Sequence, residues 1–127
     1  NRDFPNTEFV GGWVASNQAI AGKSDAVIRF LEVWQQVNDY RLKNTKDVVE
    51  WAAAASGAPA PLLQAQVEAG EWWSTAQILA DNRSGLTRKR FVSMQELFVK
   101  LGRIKTPAAP DSFINTALFE KAAEARK

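Results

Sequence analysis

Residues Phe9–Ala15, FVGGWVA, decide which fold this chain can have. Phe, Val and Trp favour strands, and Gly11 and Gly12 interrupt the run. The pattern predicts a buried strand over about 9–15, with the glycines marking a bend, a bulge or a close backbone approach. A lone strand cannot form a sheet, because its backbone donors and acceptors need partners. The stretch WWSTAQI, residues 72–78, offers a second extended run. The expectation is therefore an α/β parent fold whose sheet lies mostly outside this segment. The segment itself is expected to be mostly α, with one or two strands.

Downstream the period changes. Val27, Phe30, Leu31, Trp34 and Val37 recur at helical spacing and predict an amphipathic helix over about 24–41, inward on those residues, with Ser24 as its N-cap. Thr45 is positioned to cap a helix over about 46–56, with Asp47 and Glu50 near its positive end and Gly57 in the left-handed position beyond it. Pro61 suits the first turn of a short helix, 61–69, closed by Gly70. Phe91, Met94, Leu97, Phe98 and Leu101 share one face of a helix over about 87–101. Leu101-Gly102-Arg103-Ile104 reads as a glycine-terminated end with an apolar residue folding back. The prolines of KTPAAPDSF impose extended backbone before a last helix, about 116–126.

Composition narrows the chemistry. The 127 residues contain no cysteine and no histidine, which removes thiol nucleophiles, disulfides, Cys/His zinc sites and His-based triads. A formal charge of +2 does not call for nucleic acid. Gly22-Lys23-Ser24 has the end of a phosphate-binding loop. Asn17, however, stands where that loop needs its first glycine, and Gln18–Ala21 are helix formers. The cations Arg88, Lys89 and Arg90 lack the interleaved aromatics of a single-strand binder and read as a solvated helix face. Trp34 and Trp51 sit at core spacing. Trp72 and Trp73, being adjacent, cannot both face one core in a strand, so one is expected at an edge or interface. Trp13 follows two glycines, where backbone can approach a ligand, although core packing also accounts for it. No pair of carboxylates needs an acid–base role, and no metal or cofactor motif is present.

The order of these pieces resembles the C-terminal part of ABC-transporter substrate-binding proteins, in the group that binds aliphatic sulfonates, taurine, nitrate and pyrimidine precursors. The likeness is carried by Val14-Ala15-Ser16, by Ala26 to Trp34, by Asn44 through Gly57, by Gln95, Leu97, Phe98, Leu101, Gly102, Ile104, Lys105 and Pro107, and by Asp111, Phe113, Ile114, Phe119 and Ala122.

The resemblance implies a type II periplasmic-binding-protein-like fold of two lobes, of which residues 1–127 are the C-terminal segment. It implies capture of a small, often anionic solute without catalysis or cofactor, and delivery to a membrane permease. It also implies a periplasmic or membrane-anchored extracytoplasmic location and a monomeric full-length protein. Most cleft residues would lie upstream, and Gly11, Gly12 and Trp13 are the local ligand-binding candidates. Two alternatives stand beside it: an enzyme on the same scaffold that makes a pyrimidine precursor, and a freestanding helical interaction domain.

Overall fold

The computed structural model describes residues 11–126. It comprises α1 (Asn17–Gly22), α2 (Ser24–Lys43), α3 (Thr45–Ser56), α4 (Ala60–Ala69), α5 (Thr75–Ser84) and α6 (Leu86–Lys100), then a short 3-10 turn (Pro110–Ser112) and α7 (Ala117–Ala125). Among the described residues there is no strand, and the α/β expectation is overturned for this segment, which is all-α. Gly11 to Ser16 is irregular, while Phe9 and Val10 lie outside the described residues. The physical reason is the missing partner. WWSTAQI, the other candidate strand, is claimed by α5, where Ser74 and Gln77 form a capping box. Among the described residues no strand remains to pair with it.

The helices associate in pairs, α2 with α7, α3 with α4 and α5 with α6, and α2 also touches α1, α3 and α5. At 20 residues α2 is the longest element, about 30 Å from end to end. Its buried line is Leu31, Gln35 and Asn38 rather than the fully apolar face expected. Phe30 and Val37, assigned inward by periodicity, are exposed, and Val27 and Trp34 are half-buried. Gln35 is completely buried, with Leu31, Val49 and Ala122 supplying the buried apolar residues.

Helix ends follow local chemistry, with two corrections. Ser24 and Thr45 are the first residues of their helices rather than the caps; Lys23 and Asn44 hold those positions without a capping side chain. Thr45 instead donates its hydroxyl back to the Arg41 carbonyl at 3.2 Å. Gly57 takes the left-handed conformation, φ 70°. At the end of α6, Gly102 (φ 67°) directs its N–H to the Val99 carbonyl at 2.9 Å, and Arg103 directs its own to Phe98 at 2.8 Å. That pair of bonds is a Schellman motif.

Candidate binding surface

The candidate residues Gly11, Gly12 and Trp13 lie in the irregular run that leads into α1. Neither glycine has a positive φ, and a Cβ built on either meets nothing within 4 Å. The close backbone approach invoked for them is thus not made within the described residues. Trp13 is 62% exposed, yet its ring packs edge-on against Phe30 at 4.9 Å and Trp34 at 6.4 Å. Trp34 in turn meets Phe119 of α7 at 5.9 Å. An aromatic row therefore runs from the entry of the chain across α2 to α7.

Gly22-Lys23-Ser24 is the joint between two helices. Ser16 caps α1 by accepting the Ala19 N–H at 3.1 Å, and Gln18–Ala21 are wound into that helix. No loop of free N–H groups exists there to wrap a phosphate.

The two adjacent tryptophans are each covered by an arginine. The Arg41 guanidinium lies over Trp72 at 4.3 Å, and that of Arg90 lies over Trp73 at 4.2 Å. Trp72 donates its indole N–H to the Val67 carbonyl at 2.8 Å. Its ring comes within 2.9 Å of where a side chain on Gly70 would begin, which is why glycine closes α4. Arg90 also pairs with Asp81, and Arg88 with Asp111, so the basic cluster of α6 is largely neutralised by its own neighbours. These cation–π pairs were not read from the sequence. The S-x-x-Q signature at Ser74–Gln77 could have found the helix start, which sends the rings to different neighbours.

A polar knot ties α2 to α5 and α7. Gln35 donates to the Phe119 carbonyl at 2.9 Å and accepts from Arg126 at 3.3 Å. Asn38 donates to the Trp73 carbonyl at 2.9 Å and accepts from Arg41 at 2.7 Å. Asp39 accepts the Thr75 N–H at 2.9 Å and pairs with Arg126 at 3.3 Å. Burial opposes ionisation of Asp39, but hydrogen bonds from Thr75 and the Arg126 charge together outweigh it and hold the carboxyl below its ordinary range. Burial likewise lowers the Arg41 pKa from its usual value.

Two concave features stand out among the described residues. One, of about 60 Å³, is lined by Arg41, Leu42, Thr45, Val48, Val67 and Trp72. It is far below the roughly 300 Å³ at which ligand pockets begin. The other is an open groove edged by Arg88, Lys89, Glu96 and Asp111, whose opposed charges select no sign of ligand. No group of three or more metal-ligating side chains occurs among the described residues, and none of their helices is long and apolar enough to cross a membrane.

Together these features define a helical segment held by polar side chains, with an aromatic surface. The chain is similar to curated proteins of Brucella abortus, Brucella suis and Brucella melitensis, each named "Putative binding protein". In each case 24% of residues are identical over 110, covering 87% of this chain and 34% of the relative. The chain thus spans about a third of the length of the curated relatives it matches. No family model matches it, and no solved structure matches significantly.

Proposed function

We propose that this chain is the C-terminal segment of the solute-binding component of an ABC transporter, which captures a small, often anionic solute outside the cytoplasm and delivers it to a membrane permease. The single observation that carries the reading is the similarity to proteins named as binding proteins along 87% of the chain. The ordered signature from Val14 to Ala122 supplies the transporter group. The small volume of the cavity beside Trp72 is compatible with it, because the solute would then be held largely by polypeptide outside this segment. Gly11, Gly12 and Trp13 are the local contributors: two residues without side chains, followed by an exposed indole that can close over a bound solute. The role is binding without catalysis.

A thermal-shift screen of the full-length protein against aliphatic sulfonates, taurine, nitrate and pyrimidine precursors tests the reading. A solute that binds the native state raises its melting temperature. One responding class supports the proposal, and Trp13→Ala should then weaken that response. A flat response across all four classes contradicts it, and turnover of a pyrimidine precursor would replace it with the enzyme reading.

A further inference from the structure

The small cavity beside Trp72 has apolar walls, Leu42, Val48 and Val67, and three side chains that carry donors, Arg41, Thr45 and Trp72. Two of the three spend their donors on backbone. The Thr45 hydroxyl donates to the Arg41 carbonyl at 3.2 Å, and the Trp72 indole N–H to the Val67 carbonyl at 2.8 Å. Arg41 is different. Its Nε is buried and has no hydrogen-bond partner among the described residues. The contacts its guanidinium does make are with neutral groups, the Asn38 amide oxygen at 2.7 Å and the Trp72 ring at 4.3 Å. Burial lowers the Arg41 pKa, yet a guanidinium keeps its proton near neutrality. A buried, charged donor is costly when nothing accepts from it.

Three properties of the cavity choose what would accept. Its volume of about 60 Å³ exceeds the roughly 10–15 Å³ that one water needs and excludes an organic solute. Its charge is a single cation held by neutral partners, which calls for one negative charge. Its walls supply few donors to replace a hydration shell, so a weakly hydrated ion such as chloride or bromide enters more readily than fluoride. We infer that the Arg41–Trp72 cavity is a binding site for one small monovalent anion of the halide type, which accepts from Arg41 Nε and pins the connection between α4 and α5 onto α2. The site lies about 16 Å along α2 from Phe30, on which Trp13 packs. It is thus separate from the candidate solute residues, and the inference does not depend on the transport reading.

Crystals of the full-length protein grown without chloride and soaked in bromide locate the ion. An anomalous peak within about 3.5 Å of Arg41 Nε is the expected result. In solution, at constant ionic strength, exchanging fluoride for chloride should raise the melting temperature of the parent saturably. Arg41→Met should bind chloride at least about tenfold more weakly. The bromide position and the response of the parent decide the matter even if that variant does not fold. A water or a protein carboxylate at the expected position overturns the inference, as does an Arg41→Met variant that keeps the full chloride response. A bromide peak without a saturable response in solution is an adventitious ion only, and it overturns the inference too.

Discussion

The Gln35 side-chain amide donates to the backbone carbonyl of Phe119, 84 positions away in the sequence, at 2.9 Å. This contact joins the longest helix to the last one, and it is made by a side chain with no exposed surface. A buried amide costs free energy unless both of its ends are satisfied. Here the carbonyl end accepts from Arg126, and the segment is anchored by polar pairing where an apolar core would be expected.

Gln35→Leu keeps much of the volume but strands the Arg126 donor and removes the bond to Phe119. The expected loss of stability is about 1–3 kcal/mol, read by urea denaturation. A variant as stable as the parent would show that packing alone holds α7.

The acid side of the stability profile should carry the signature of Asp39. Its folded pKa lies below the ordinary 3.8, so the folded state holds its proton less tightly than the unfolded chain. The stabilisation is complete above the unfolded pKa and is lost as pH falls through the folded value. The stability difference between the parent and Asp39→Asn should accordingly be constant near neutrality and shrink below about pH 4. Thermal melts across that range measure it, and a difference independent of pH would remove Asp39 from the knot.

Two glycines should respond in opposite ways. Gly102 sits at φ 67°, so Gly102→Ala should cost about 1–2 kcal/mol. Gly22 ends α1 without a positive φ and has open space around it, so Gly22→Ala should be neutral or stabilise by up to about 1 kcal/mol. Paired denaturation curves check both, and a large loss at Gly22 would show that the joint between α1 and α2 tolerates no side chain there.

Gln95 grips the proline-rich connection as a neighbouring strand would. Its amide nitrogen donates to the Ala108 carbonyl at 3.1 Å, and its amide oxygen accepts the Ala108 N–H at 2.7 Å. Gln95→Leu should release that N–H, so hydrogen exchange at Ala108 should speed by about tenfold or more while α6 stays protected. Unchanged exchange at Ala108 would mean that the prolines alone fix the connection.

What could be read in advance was local. Gly57 and Gly102 announce their helix ends because only a left-handed residue closes them, and Asn17 spoils the phosphate loop at Gly22-Lys23-Ser24, although that stretch read as the join of a strand to a helix rather than of two helices. The strand at residues 9–15 misled, because β propensity describes a residue's fit to a sheet and cannot supply one. The inward face of α2 misled for a related reason. Apolar residues cover well over half of its circumference, and periodicity cannot choose between two apolar stripes. The choice is made by Gln35 and Asn38, whose partners Phe119 and Trp73 are distant in sequence. Gly11, Gly12 and Trp13 were candidates from their sequence setting and from family likeness, and they line neither of the two concave features described above.

The central claim is solute capture, and the thermal response of the full-length protein tests it most directly. At a solute concentration one hundred times its dissociation constant, binding adds about 2.7 kcal/mol to native stability. In a protein of the relatives' size that corresponds to a rise of roughly 4 °C. The account predicts such a rise with one class among sulfonates, taurine, nitrate and pyrimidine precursors; no rise with any of them, in a protein that melts cooperatively, would contradict it.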